Sequence, residues 1–511
     1  MRRGLLIMIL LAAAVVPLSL LLQQAGRETA APRYHQHLTQ PSEEELGPCP
    51  RCGGEETLCT HLPVINVETG GQTIPGRPIR DAADSITSYQ TGDHGEAEIV
   101  VSYSTVSEAG VWHHPDDEPT LTGTALFRFR GNSSRYFTKG SYRMRLVKDD
   151  GEQKRKQGLL GMPAGTDWAL YGPFLDKTLL RNYMCMNLSA EVMGTWTPEV
   201  RFCELMLDGE YQGVYVLMEM IDVDANRLSL TEYRSGDPVC SYLVLIGSRS
   251  KLERSLDNFC YYTYQMEIGR DLRAEVLYPR TSSLSQQVLE YIQADFSEVE
   301  RMLFSSDLVD GTSAWKSEIN MDSFVNYYIL MEFLAVNDMF GNSTYLYRDV
   351  RGKLSIGPVW DYNNVLDNFF HPMPARSFLL SQRGWYSRLM MDREFVERVI
   401  RRYRELRRGV LSEEHLLAYE KAVETWLGSA IARNYTVWGY TFDPEQVSAY
   451  ERRFPAAGSG DTLQDVNPDS YRQAVEWMLD YMVNRGRWMD EHIETLRQYS
   501  HPSRFATQAL E

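Results

Sequence analysis

The sequence predicts an α+β protein with its strands first and an all-helical C-terminal region. Three observations carry this. Between Leu62 and Glu219, short β-branched and alternating runs are punctuated by turn residues. Met321 to Val336 is an almost unbroken apolar stretch, read as a buried helix with Asn320 as its N-cap. Beyond residue 384, apolar residues recur at helical spacing among Arg and Glu, as in FVERVIRRYRELRRGVL and YRQAVEWMLDYMVNRGRWMDEHIETLRQY.

At 511 residues the chain exceeds one ordinary core, and 43% hydrophobic and 24% charged residues are ordinary globular values. The formal charge of -17, from 52 basic and 69 acidic residues, argues against a nucleic-acid partner. It suits a basic substrate or simple solubility.

The elements follow in order. Residues 1–26 begin with Arg2 and Arg3 and continue as an apolar run from Gly4 to Leu22, just long enough to span a bilayer. The arginines favour a cytoplasmic start, so the segment reads as a signal anchor or signal peptide, and the remainder as exported and membrane-anchored or secreted. A polar linker occupies 27–62. It carries Cys49, Cys52, Cys59 and His61, the ligand types of a structural zinc site. One disulfide with a spare thiol is the competing reading. Cys240 and Cys260 flank a predicted hairpin and form a second candidate bridge.

Strands are expected at Val64–Val67 and Glu98–Val101, and on both sides of the Gly-Asn-Ser-Ser turn within Ala125–Leu146. A helix is expected over Asp176–Met193. The Asp208-Gly209 dipeptide predicts a hairpin joining Val200–Leu207 to Glu210–Glu219. A second hairpin joins Ser343–Asp349 to Leu354–Trp360 around Arg351-Gly352. Symmetric pairing of 350 with 353 then sets Asn342 opposite Asp361, with Asp338 four residues upstream at the end of the buried helix. Two carboxylates and an amide, with no soft ligand, favour Mg²⁺, Mn²⁺ or Ca²⁺ over zinc. Hairpin ends also attract Asp and Asn as simple turn caps.

Arg128, Arg130, Lys139, Arg143 and Arg145 crowd one strand–loop–strand unit in an otherwise acidic chain. Its loop, Gly131-Asn132-Ser133-Ser134, offers backbone N–H groups and hydroxyls that can cradle phosphate oxygens. A solvated basic strand face is the alternative.

Four segments in order, FRFRGNSSRYFTKGSYRMRL, LDKTLLRNYMCMNLSAEVMGTWTPEVRFCELMLDGEYQGVYVLMEMI, NDMFGNSTYLYRD and LSIGPVWDYN, resemble the CotH family of secreted and spore-associated atypical protein kinases. The resemblance implies a reduced protein-kinase-like fold over 63–383, with a β-rich N-terminal lobe and a mixed or helical C-terminal lobe, followed by a helical region over 384–511. It implies ATP, Mg²⁺ or Mn²⁺, and transfer of the γ-phosphoryl group to a Ser or Thr hydroxyl of a protein substrate. By the family pattern Asp338 matches the catalytic aspartate and Asp361 the metal-binding one, with Asn342 beside it. Arg130, Ser133, Ser134, Lys139 and Arg143 fall where phosphate contacts are expected. Trp360 is a candidate adenine stacker and Glu219 a candidate partner of a phosphate-binding cation. The family often has an acid where this chain has Asn363, and Asn where it has Val336. A catalytically silent surface binding or scaffold protein is the competing function, and a glycoside hydrolase with paired carboxylates a weaker one.

Overall fold

The structure is a computed structural model. It describes residues 33–504 except 54–57, 82–84, 132–133, 248–253, 261–272, 305–313, 337, 339, 369–373 and 448–466. The apolar N-terminal run and Ser133 lie outside the described residues. Among those described, no helix is long and apolar enough to cross a membrane. Met1–Tyr34 separates from His35–Glu511 as its own unit, and the architecture below is that of the second.

Seven strands close into a barrel: β1 (Val64–Glu68), β4 (Ile99–Val106), β5 (Leu121–Phe129), β6 (Tyr142–Val147), β7 (Asp167–Tyr171), β9 (Glu210–Glu219) and β8 (Val200–Leu207), in that spatial order. All neighbours are antiparallel except the seam, where β1 runs parallel to β8 with Val64 opposite Glu204. Closure leaves these strands without a free edge. Alternation fills the interior with Ile65, Val101, Phe127, Met144, Trp168 and Leu217. Strands β8 and β9 are buried on both faces over most of their length because their outer sides pack under helices. The β8–β9 turn is the one predicted: Asp208 and Gly209 both take positive φ (49° and 77°), and the Asp208 carboxylate accepts from the N–H and hydroxyl of Thr69 at 2.6 Å each.

A short hairpin, β2 (Pro78–Arg80) and β3 (Ile86–Tyr89), clasps the loop after β5. Arg77 donates to the carbonyls of Phe137 and Thr138, and Arg135 lies 4.6 Å over the Tyr89 ring.

The second sheet runs β11 (Arg273–Tyr278), β10 (Tyr242–Gly247), β12 (Thr344–Arg348), β13 (Ser355–Ile356). One large apolar cluster joins it to the helices α1 (Arg181–Met193), α2 (Gln286–Phe304), α3 (Met321–Phe333), α4 (Arg393–Leu406), α5 (Glu413–Leu427), α6 (Ser429–Trp438) and α7 (Tyr471–His492). Side chains cap three of these at the N-terminus: Asp392 for α4, Ser412 for α5 and Ser470 for α7.

Helix α3 is buried as expected but ends at Phe333. Ala335, at φ 49°, breaks it, with Val336 N–H returned to the Met331 carbonyl at 3.1 Å. Asn320 occupies the N-cap position without capping; its amide donates instead to Ser355 Oγ at 3.1 Å. The mixed α+β class and its strand-first order are as the sequence predicts. Cys240 and Cys260 are free thiols, so the second candidate bridge is not formed.

Candidate functional site

The hairpin of β12 and β13 departs from its expected register. Leu346 pairs with Ile356 and Tyr347 with Ser355, one residue away from the symmetric alignment that faced Asn342 with Asp361. The physical reason lies at both ends. Arg351 (φ 59°) and the Gly352 N–H to Asp349 carbonyl bond tighten the turn asymmetrically, and Pro358, with no N–H to donate, ends the ladder.

The predicted groups nevertheless converge. Asn342 Nδ2 donates to Asp338 Oδ1 at 3.2 Å, and the Asp338 carbonyl accepts from the N–H groups of Gly341 and Asn342, both at 3.0 Å. Asp361 lies close enough to Asp338 to feel its charge, and Ser343 hydrogen-bonds to its carboxylate. Asp338 stands five residues past the end of α3, outside the last turn where a helix dipole acts.

Asp361 is held in an uncommon backbone conformation, φ 70° and ψ 62°, at the entrance to the short 3₁₀ turn Tyr362–Asn364. Helix α1 pins that turn. Asn182 Oδ1 accepts from the Tyr362 N–H at 3.1 Å, Ser189 donates to the Tyr362 hydroxyl at 2.8 Å, and Arg181 donates to the carbonyls of Val365 and Leu366. The buried Asp176 carboxylate fixes the start of α1 through the Arg181 N–H and guanidinium.

The Asp361 side chain is open to solvent, although protein packs closely round it. A small ion can therefore reach this carboxylate, while the protein packed round it leaves it poorly hydrated. Burial, then the Asp338 charge, push its pKa up to about 6, against the opposing pull of Arg130 and the Ser343 hydrogen bond. A cation between the two carboxylates would remove the repulsion. Oxygen donors from Asp361, Asp338 and Asn342 therefore fit a hard divalent ion.

Arg130, at the end of β5, carries its guanidinium 5.4 Å over the Trp360 ring and beside Asp361 and Tyr345. Among the described residues its guanidinium makes no hydrogen bond or ion pair, which leaves its fork available for an anion. Trp360 is half-buried, with that cation against its ring. Gly131, at φ 97°, turns the chain away from β5, and a Cβ there would collide with Ser134 Oγ. Ser134 donates to the Arg130 carbonyl at 3.2 Å, closing the turn.

Other expected phosphate contacts are engaged elsewhere. Lys139 is buried, donates to Asn434 Oδ1 at 2.6 Å and lies between the rings of Tyr215 and Trp438; desolvation lowers its pKa well below the usual lysine value. Arg143 pairs with Asp167 at 2.5 Å, in a network where Glu98 and Asp167 also hold Arg128 and Arg145. The basic strand face is thus largely paired within the barrel wall, three guanidiniums sharing two carboxylates. Glu219 is buried in an ion pair with Arg227, whose guanidinium lies 4.9 Å over Trp168.

The N-terminal cysteines assemble as a cluster, with one change of ligand. Cys49, Cys52 and Cys59 gather with His114 rather than His61. His61 sits apart, its Nδ1 3.4 Å from Glu43 Oε1 and its ring edge-on to Trp426. Spacing along the chain pointed to the nearer histidine, but the Thr60–His113 bridge carries the loop between β4 and β5 to the thiols. The His113-His114 pair was the signal in the sequence. Asn182, which accepts the Tyr362 N–H, and Ser343, which hydrogen-bonds to Asp361, were also missed, since nothing in the local sequence marks either as a partner of that turn.

The family model described as CotH kinase protein matches residues 127–489, more than half of the chain. Among curated proteins, the inner spore coat protein H of Bacillus subtilis (strain 168) is 20% identical over 373 residues, covering 72% of this chain and 87% of that protein. With four ordered segments and a family match that runs from the end of β5 through both aspartates and into helix α7, the chain belongs to the CotH kinase protein family.

Proposed function

We propose that this chain is an exported protein kinase that transfers the γ-phosphoryl group of ATP to Ser or Thr hydroxyls of a protein, in a kinase-like cleft between the barrel and the second sheet. The observation that carries this reading is the closeness of Asp338 to Asp361 beside Arg130, whose guanidinium makes no hydrogen bond among the described residues. Bound Mg²⁺ or Mn²⁺ would neutralise phosphate charge, and ATP would supply the transferred group. Asp361 and Asn342 would hold the ion. Arg130 and the backbone after Gly131 would bind phosphate oxygens, and Trp360 would border the base. Asp338 Oδ1 is occupied by the Asn342 amide, which orients the carboxylate so that Oδ2 receives the proton of the acceptor hydroxyl.

Membership of a family described as kinases supports the chemistry. The net charge of -17 suits basic substrates. The relative named a spore coat protein, together with the apolar N-terminal run, supports a spore-associated or membrane-tethered location outside the cytoplasm. A second reading, a scaffold without turnover, is favoured by Asn363 in place of the family's frequent second acid.

Thermal unfolding of the full chain tests both. ATP with Mg²⁺ or Mn²⁺ at about 100 times its dissociation constant should stabilise by about 2.7 kcal/mol. Asp361→Ala should abolish the shift, whereas Asp338→Asn should keep the shift and lose phosphoryl transfer. Nucleotide binding that is absent or indifferent to metal would refute the kinase assignment, and full transfer by Asp361→Ala would refute the assignment of the metal site.

A further inference from the structure

Away from the cleft, four ligand atoms of a different chemical kind meet. The Sγ atoms of Cys49, Cys52 and Cys59 and a ring nitrogen of His114 all lie within 4.8 Å of one another. His114 Nε2 stands 3.7 Å from Cys49 Sγ and 3.4 Å from Cys52 Sγ. Tetrahedral zinc, with Zn–S of about 2.3 Å and Zn–N of about 2.0–2.1 Å, sets its sulfur and nitrogen ligands about 3.6 Å apart. The observed spacings bracket that value, and none of the three sulfurs is bonded to another.

The surroundings serve the same chemistry. Asp117 Oδ2 lies 3.4 Å from His114 Nδ1 and accepts the His114 backbone N–H at 2.7 Å, while Arg51 holds the other carboxylate oxygen at 2.8 Å. A carboxylate at Nδ1 fixes the tautomer that turns the Nε2 lone pair towards the thiols. Cys49, Cys59 and His114 are buried and Cys52 half-buried. Gly53 N–H bonds to the Cys49 carbonyl at 2.9 Å with φ 61°, closing the tight turn that brings the first two thiols together.

We propose that Cys49, Cys52, Cys59 and His114 bind one structural Zn²⁺. On binding, the three thiols release three protons to solvent, the imidazole stays neutral, and no electron is transferred. Four protein ligands leave no open position, so the site fastens rather than catalyses. What it fastens is the segment entering β1 to the loop between β4 and β5, two neighbouring staves of the barrel. Thiolates and imidazole select a soft or borderline ion, so this site and the oxygen-lined cleft bind different metals.

The test is the metal content of the full-length chain, purified under reducing conditions without chelator. Zinc should be present at about one per chain and fall below about 0.2 in Cys59→Ser and in His114→Ala, while His61→Ala stays at one. Should those variants fail to fold, cobalt substitution of the wild-type chain decides. Tetrahedral d–d bands with a thiolate-to-cobalt charge-transfer band are expected. Substoichiometric zinc with no cobalt uptake, a disulfide between any two of the three cysteines after reduction and reoxidation in the presence of zinc, or loss of zinc in His61→Ala but not in His114→Ala would each overturn the proposal.

Discussion

Removing Arg485 should unfold the protein more readily than any single change at its surface. Arg485 and Glu332 form a fully buried pair at 2.8 Å, each 0% exposed. The guanidinium also donates to the carbonyls of Glu332, Ala375 and Ser377, and the carboxylate accepts from the N–H groups of Leu379 and Leu380. Burial raises the Glu332 pKa in spite of its cation, so the carboxylate depends on that cation to stay charged. Arg485→Met leaves a buried carboxylate uncompensated, at a cost of about 3–5 kcal/mol. Adding Glu332→Gln removes the charge while its carbonyl oxygen still serves the two backbone N–H groups. The double variant should therefore recover at least about 2 kcal/mol relative to the sum of the single changes. Urea unfolding read by tryptophan fluorescence measures this, since Arg485 lies 5.4 Å over Trp488. Additivity of the two changes to within about 0.5 kcal/mol would refute the reading of the pair.

Three further outcomes are expected. Arg130→Met should remove the nucleotide- and metal-dependent thermal shift and Lys139→Met should leave it intact; the reverse pattern in the same assay would place phosphate at Lys139. Gly131→Ala, forced to φ 97° against Ser134, should lose about 1–3 kcal/mol in chemical denaturation, with weaker nucleotide binding. Burial, then the charge of Glu424, push Glu420 from 4.5 up to about 7. The folded state thus holds a proton that the unfolded state releases, and stability falls as pH rises from about 4.5 through about 7. Glu420→Gln should match the wild type at pH 4 and exceed it by about 1–2 kcal/mol at pH 8, less than the full shift implies because the folded state can relax around the charge. Equal stability across that range in pH-resolved unfolding would contradict it.

Local signals were legible where short-range chemistry decides. Asp208-Gly209 specified its turn because only φ-tolerant residues fit there, and the apolar run before Asp338 specified a buried helix. The meeting of Asp338, Asn342 and Asp361 was anticipated, but from a register one residue out. What brings them together is the chain path after Pro358 and the grip of α1 on Tyr362. Partners distant in sequence were not legible. Asn434 lies 295 positions from the Lys139 it holds, and His114 lies 55 from Cys59. Which cation faces a ligand and which closes a wall depends on such tertiary neighbours, and no local pattern encodes them. Barrel closure was likewise hidden, since the β1–β8 seam joins strands more than 130 residues apart.

That seam sets where the molecule can be cut. The family match begins at residue 127, inside β5, yet β1 and β4 are staves of the same barrel. A chain started at 127 would lack both, along with most of β5, and would expose the sides of β6 and β8 that the missing strands cover. Bare strand sides of that kind pair with other copies. The smallest soluble fragment should therefore begin ahead of Val64, and one that retains Gln36 keeps the two hydrogen bonds by which that side chain brackets the Phe202 backbone on β8.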